Sequence, residues 1–440
     1  MAGERFGTAF RAALVVLAAA LLSGAGCFET GPTRPTEEVA WSTVAAGDFH
    51  TCALGDDGAA YCWGMNGQGQ LGSGPGSSRG ITGRPHPVEG GIRFRSLTAG
   101  RAHTCGISEN GELFCWGQGG SGQLGVDPDS ASGACGGTLC ISPVPVPASD
   151  SIRFTRVEGG AAHTCALSET GDAYCWGDNS FGQLGTGEAG PETGRADPAR
   201  VPVGVPLVSV SAGERHSCAV DENGAVWCWG DNGRGQVGPL TGSTCGARTD
   251  SSGQETGGFP CALAPASVPS ERSFEAVAAG GAHTCALDAG GSAWCWGSDA
   301  THQLGDEFGS PEECLSSETI PGVPCSREPV RAVTDASFTS LSAGAAHACG
   351  RTAGGDARCW GDNSLGQVGY CGVGQPLVPT RVCRVSGFRR LAAGGRHSCG
   401  VTTSGEAWCW GANGEGQLGS GSTRFSYFGP VQVRAALAGG

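Results

Sequence analysis

The residues of this chain best suited to chemistry recur at a fixed spacing. His163 and Cys165 stand two residues apart, Cys175 follows ten residues after Cys165, and Trp176-Gly177 runs into Gly182-Gln183-Leu184-Gly185. One imidazole and two thiols on facing strands are three nitrogen and sulfur ligands of the kind a catalytic zinc keeps. The set recurs seven times, however, and no copy supplies an obvious fourth ligand. Seven identical open sites would have to compete with oxidation of the thiols to each other. The expectation is therefore a disulfide in every copy: Cys52 with Cys62, Cys105 with Cys115, Cys165 with Cys175, Cys218 with Cys228, Cys285 with Cys295, Cys349 with Cys359, and Cys399 with Cys409. No metal ligand and no cofactor is assigned.

The elements that must position these residues follow from the same spacing. If Cys165 and Cys175 face each other across a hairpin, Thr170 is the midpoint and Gly171 falls where a three-residue loop needs a left-handed residue. Gly58, Gly111, Gly224, Gly291, Gly355 and Gly405 occupy the equivalent places. Opposed residues on antiparallel strands bring Cβ atoms to about 4.5–5.5 Å, near enough for a cross-strand bridge. In the third copy Pro143 to Val146, Phe154 to Val157, Ala162 to Leu167 and Ala173 to Trp176 read as four short strands. Four strands per copy, seven copies and no helical period predict an all-β, seven-bladed β-propeller with four short antiparallel strands per blade. The repeat cores span about 41–72, 94–125, 154–185, 207–238, 274–305, 338–369 and 388–419, within a propeller running from 41 to 440. The first copy starts at Trp41 with no room for a leading strand, and a spare Gly429-Pro430-Val431-Gln432-Val433 follows the last. This predicts closure of the ring by pairing of the C-terminal strand with the N-terminal strands of the first copy.

Glycine numbers 80 and proline 24 among 440 residues, a share that approaches low complexity. Here the glycines recur at matching places in each copy, which marks them as turn residues of many short strands. The chain carries 27 basic and 41 acidic residues, and every basic residue is an arginine. Without Arg5, Arg11 and Glu4 of the first 26 residues the net charge is about −15, a balance that repels nucleic acid and anionic membrane and keeps an exported protein soluble.

Arg5 and Arg11 precede an apolar run from Ala12 to Leu22, too short for a membrane span and suited to a signal-peptide core. Ser23-Gly24-Ala25-Gly26 then leads to Cys27, in a pattern that resembles the lipobox of bacterial lipoproteins, with Gly24 where leucine is preferred. Residues 1–26 are thus expected to be a lipoprotein-like signal peptide, Cys27 the lipidated residue and 27–40 a tether. The location expected is an outer-membrane or cell-surface lipoprotein, or alternatively a periplasmic or secreted protein, held to membrane by the lipid anchor only. The cysteine count agrees: 23 is odd, and Cys27 is the one left after the seven repeat pairs and four spacer pairs. Those spacer pairs are Cys135 with Cys140, Cys245 with Cys261, Cys314 with Cys325, and Cys371 with Cys383. So many bridges require an oxidising compartment.

The string AGxxHTCAL, then YCWG, then GQLG, resembles the repeat of the regulator of chromosome condensation family over residues 41 to 433. The resemblance implies a seven-bladed propeller. It also implies framework roles for His50, His103, His163, His216, His283, His347 and His397, and for Trp63, Trp116, Trp176, Trp229, Trp296, Trp360 and Trp410. Gln70, Gln123, Gln183, Gln236, Gln303, Gln367 and Gln417 then read as brackets to neighbouring backbone. The fifth copy departs from the pattern, with His302 where the others have glycine. The family's best-known activity, nucleotide exchange on a small nuclear GTPase beside chromatin, conflicts with an export signal, an acidic surface and disulfides.

Outside the repeat no chemistry is signalled. Gly76-Ser77-Ser78-Arg79-Gly80 matches a nucleophile-elbow string but lacks the strand before and helix after that such an elbow needs, and Asp127-Pro128-Asp129 is too short for a calcium loop. No catalytic residue is assigned. The variable spacers, 126–153, 239–273, 306–337 and 370–387, occupy one place in each copy, so rotational symmetry puts them on one face. Loops stapled by their own bridges suit a pre-organised recognition surface, with Asp127, Asp129, Arg248, Glu312, Glu313 and Arg327 as candidate contacts. The expectation is a monomeric, non-catalytic propeller that binds a protein or an envelope polymer. The alternative is a polysaccharide lyase or hydrolase with acidic residues at the channel.

Overall fold

A computed structural model describes residues 39–75, 80–127, 140–149, 151–239, 243–245, 258–310, 312–314, 322–372, 374–422 and 424–434. The segment expected as a signal peptide, Cys27, most of the expected tether, Asp129, Cys135 and Arg248 lie outside them.

The described residues form seven antiparallel sheets, the blades of one ring. Blade 3 shows how the repeat builds each one. Phe154–Gly159 is the inner strand, His163–Ser168 the second, Ala173–Gly177 the third and Arg195–Arg200 the outer. Cys165 pairs directly with Cys175, and the loop between them is the three-residue turn its spacing predicts. Gly171 has φ of 78°, Ser168 N–H donates to the Asp172 carbonyl at 2.9 Å, and Gly171 N–H to that of Ser168 at 3.1 Å. Glycine takes that backbone without the steric cost a Cβ brings.

Two sequence expectations about strand order are corrected. The strand expected at Pro143 to Val146 to open the third blade is the outer strand of the second, Ile141–Pro147, paired with Leu113–Gln118. Each blade therefore takes the strand that follows its GQLG segment, not the one that precedes it. The C-terminal strand Ser426–Gln432 accordingly pairs with Ala407–Ala412 of its own seventh blade and not with the N-terminal strands. Blade 1 is complete by itself, with Ile81–Pro87 as its outer strand. The ring closes instead by face packing: Trp41, Val44, Ala53 and Trp63 of blade 1 share a buried cluster with Val401, Ala407 and Leu418 of blade 7. Trp41 N–H also donates to the Gly405 carbonyl at 2.8 Å.

The core lies between blades. All seven repeat tryptophans are fully buried, and each packs its ring against the preceding blade; Trp116, for example, joins Cys52, Leu54 and Leu71. Burying such a ring contributes about 2–3 kcal/mol, so the seven interfaces dominate the stability of the ring. Outside the sheets the described residues hold one short 3-10 turn, Pro191–Thr193.

Candidate binding face

The repeat signature forms a belt of hydrogen bonds that runs from blade to blade. The Gln70 carbonyl accepts from the Trp116 indole at 3.0 Å and from the Thr104 hydroxyl at 2.9 Å. That hydroxyl in turn lies 2.9 Å from His50 Nε2. Since the hydroxyl proton goes to the carbonyl, His50 Nε2 carries the hydrogen and donates; with burial disfavouring the charged ring, this fixes the Nε2–H tautomer of a neutral imidazole. The same triangle closes the ring, where Thr51 bonds His397 Nε2 at 2.7 Å and the Gln417 carbonyl at 2.8 Å. The glutamine side chains bracket their own turns, as when Gln183 Oε1 accepts from Phe181 N–H at 2.8 Å.

One member of the belt is incomplete. Ala348 replaces the threonine or serine in blade 6, so His283 Nε2 is left buried with no acceptor. Burial holds all seven imidazoles far below their ordinary range, to about 3 for His50, His103, His216, His283 and His397 and about 4 for His163 and His347. With Nε2 given to a hydroxyl in six copies and the paired sulfurs bonded to each other, the set that resembled a zinc site is committed to framework.

The repeat bridges join Cα atoms about 4.1 Å apart, as between Cys52 and Cys62 or Cys399 and Cys409. The spacer cysteines bond within their own spacers: Cys245 to Cys261, Cys314 to Cys325 and Cys371 to Cys383. Cys140 is also disulfide-bonded.

These spacers emerge beside the turns that join inner and second strands. In each blade the third strand's end bonds that turn, as when Asp178 N–H donates to the Ala162 carbonyl at 2.9 Å. Spacers and channel mouth therefore share one face. In blades 4 and 5 the spacer adds a fifth strand, Ser243–Cys245 against Phe259–Ser267 and Glu312–Cys314 against Val323–Arg331. Glu312 and Glu313 are exposed there, and Arg327 reaches Glu312 at 3.0 Å. The Cys371–Cys383 bridge lies against Gly429 of blade 7. Asp127 is also described, while Asp129 and Arg248 are not.

The channel mouth is a residue set the repeat hides. It is lined by the small-residue pairs that end the inner strands, Ala-Gly in six blades and Gly159-Gly160 in the third, around a cavity of about 100 Å³. Successive blades bond across it, as Glu214 N–H to the Gly280 carbonyl and Gly395 N–H to that of Gly47, both at 3.1 Å. The residue after each Ala-Gly varies, and here stand Asp48, Arg101 and Glu214, with Arg101 3.7 Å from Asp48. Burial raises the Asp48 carboxyl above its usual range, opposed by Arg101. The signal was present in the sequence as the variable position beside an invariant one. Deeper in the wall Glu158 is pushed up to about 7 by burial.

His302 has a physical reason. Where other copies have glycine, a Cβ would press on the next blade's outer strand, 2.6 Å from Phe428 Cα at Gly366 and 2.8 Å from Gly83 Cα at Gly416. Blade 6 keeps only Thr380–Arg381 of that strand, so the loop of blade 5 has room for a side chain. His302 takes it at φ of 60°, and Gln375 of the sixth spacer donates to the neighbouring Thr301 carbonyl at 2.8 Å.

Comparison with known proteins agrees with this geometry. The model of the RCC1-like domain matches residues 25–318 and 132–439. The ultraviolet-B receptor UVR8 of Arabidopsis thaliana is 32% identical over 332 residues, covering 74% of this chain and 66% of the receptor. The mitochondrial RCC1 domain-containing protein RUG3 of the same plant is 30% identical over 272 residues, covering 61% and 56%. The chain thus spans less than two thirds of the length of either relative. Among solved structures, Prp20p of Saccharomyces cerevisiae, studied for its binding to Gsp1p and histones, superposes with a TM-score of 0.64 at 22% identity, covering 84% of each chain. Human WBSCR16 gives 0.66 at 20% identity, covering 85% of this chain and 93% of the other. At these identities the two structures speak for the fold alone.

Proposed function

This chain belongs to the RCC1-like domain family, and on that premise we propose that it is an exported, non-catalytic propeller that binds a protein partner through the spacer face. The observation that carries the reading is the placement of the variable spacers. They rise on one face beside the channel mouth, and the described ones are tied by bridges inside their own loops. Pre-organised loops lose little entropy on binding, so a modest contact area yields useful affinity. Most of the repeat's belt groups are engaged by neighbouring blades, His283 Nε2 excepted, which leaves recognition to the spacers. Prp20p, which has this fold, is studied for its binding to Gsp1p and histones, and that supports a protein-binding reading. The partner differs here, because an acidic, disulfide-bonded chain with a lipobox-like Cys27 belongs outside the cytoplasm.

The test is capture of partners from envelope extract by the mature protein and by a variant whose segment 246–257, between Cys245 and Cys261, is replaced with a short Gly-Ser linker that keeps both cysteines. A partner held by the first and lost by the second, at equal melting temperature, is expected. Binding of a polysaccharide instead of a protein, or turnover abolished by Asp48→Asn or Glu214→Gln, would overturn the reading. Fractionation of Cys27→Ser cells, with release of the protein from membrane, checks the anchor.

A further inference from the structure

The inner strand of blade 3 departs from the other six at one position. Glu158 stands where they carry Ala45, Thr98, Ser211, Ala278, Ser342 and Ala392. The register fixes where such a residue lies: Glu158 is opposite Cys165 as Thr98 is opposite Cys105, Ser211 opposite Cys218 and Ser342 opposite Cys349. Thr98 Oγ1 accepts from Gly159 N–H at 3.0 Å, Ser211 Oγ from Ala279 N–H at 2.9 Å and Ser342 Oγ from Ala393 N–H at 2.9 Å. Each hydroxyl thus touches the next blade at a residue that lines the mouth cavity. Glu158 starts from the same place beside Ala212, another lining residue, and its carboxyl reaches further. The ring encloses that carboxyl, which only a narrow path of solvent reaches. No hydrogen bond or ion pair meets it among the described residues, and Arg156 of the same strand is exposed.

At the mouth itself only Asp48, Arg101 and Glu214 bring charge to a lining of glycine and alanine. Neither carboxylate is tied down. Arg101 stays 3.7 Å from Asp48 and Arg215 4.0 Å from Glu214, whereas a rim pair such as Arg381 with Asp356 closes to 2.7 Å. No hydrogen bond reaches the side chain of Asp48 or Glu214 among the described residues. Enclosed carboxyl groups normally find donors. Here they surround one cavity and the protein supplies none.

We propose that the channel mouth binds a primary ammonium group, on a free amine or on a lysine side chain, with Asp48 and Glu214 as acceptors at the rim and Glu158 at the floor. An ammonium carries three donors on a compact head and so suits separate carboxyl groups, whereas the flat fork of a guanidinium suits one carboxylate. A cavity of about 100 Å³ takes such a head and little more. The chain's net charge of −14 draws cations toward it. A lysine as ligand rests on the binding-face reading, because the mouth lies among the spacers; a free amine does not. A small amine needs no protein partner, so its failure to bind is distinct from a failed capture.

The mature protein is titrated by calorimetry with n-propylammonium chloride and the peptide acetyl-Gly-Lys-Gly-amide, with tetramethylammonium and sodium chlorides as controls of equal charge. Saturable binding of propylammonium and peptide is expected, with both controls inert. A peptide bound at least tenfold more tightly than propylammonium assigns the group to a partner's lysine, and equal affinity assigns it to a free amine. Asp48→Asn and Glu158→Gln should each weaken binding at least fivefold, while Arg101→Gln, which removes a competing cation, should strengthen it. Glu158→Ser, which restores the residue of blades 4 and 6, stands in if the glutamine variant fails to fold. Burial pushes the Glu158 carboxyl up to about 7, opposed by Arg156. Asp48, Glu214 and Arg101 are the charged groups across the mouth, and His103 and His163 stay neutral in this range. Affinity for propylammonium should therefore rise about tenfold from pH 6 to pH 8 as the carboxyl ionises, and lose that rise in Glu158→Gln. Absence of saturable binding, an equal response to tetramethylammonium, or an affinity unchanged in Asp48→Asn or Glu158→Gln overturns the site.

Discussion

Seven fully buried imidazoles held neutral make this fold sensitive to acid in a predictable way. Each histidine in the belt has its pKa depressed by burial to about 3 or 4, against an ordinary value near 6.5 in the unfolded chain. For a base whose folded pKa is depressed, the unfolded state takes up protons first. Stability is full above about pH 6.5 and is lost as pH falls toward the folded value. At pH 5 each imidazole costs about 2 kcal/mol relative to pH 8, or about 14 kcal/mol for seven. Glu158 and Asp306, raised to about 7 and 6 mainly by burial, act in the opposite sense, because the folded state binds their protons more tightly. With Asp306 discounted for its solvent exposure, they recover about 3 kcal/mol. The net loss of about 10 kcal/mol is comparable to the whole stability of a folded protein. Urea unfolding of the oxidised protein between pH 8 and 4.5 should therefore show a steep fall centred between pH 5 and 6, with a slope equivalent to several protons. A free energy that changes by less than two protons' worth across this window would refute the neutral-belt reasoning.

Three further outcomes follow from the same geometry. Ala348→Ser supplies the missing hydroxyl between His283 Nε2 and the Gln303 carbonyl, and should raise stability by about 1 kcal/mol in thermal or urea melts. Cys165→Ser with Cys175→Ser opens a loop closed over ten residues and should cost about 3 kcal/mol in the same melts on the chain-entropy model. Gly366→Ala sets a Cβ against Phe428 at positive φ and should destabilise by about 2 kcal/mol, whereas His302→Gly relieves a left-handed backbone and should be neutral or stabilising by up to about 1 kcal/mol; equal melting shifts for the two would disprove the role of the truncated blade 6 strand.

How much was legible in the sequence depended on range. The hairpin around Gly171 was readable because ten residues and one glycine define it locally. The framing of blades was not, since Ile141–Pro147 stands between two cores and only hydrogen bonds to Leu113–Gln118 assign it. The same ambiguity produced the expectation that Gly429 to Val433 would seal the ring. Deleting those residues strips the outer strand from blade 7 and destabilises the protein whichever strand they pair with. Among site residues, Asp48, Arg101 and Glu214 vary beside an invariant glycine, and their convergence appears only once the ring is closed. Glu158 is an anomaly in the aligned copies, yet its lack of a partner becomes visible only once the inner strands surround the channel.

The claim that the repeat is spent on framework and the spacers are self-contained recognition loops is tested most directly by peptide mapping of the mature protein without reduction. The prediction is no free thiol among the repeat cysteines, each linked to its partner ten residues away, with Cys245 to Cys261, Cys314 to Cys325 and Cys371 to Cys383 closed within their own spacers. Free thiols at the repeat pairs, or bridges running from one spacer to another, would contradict it.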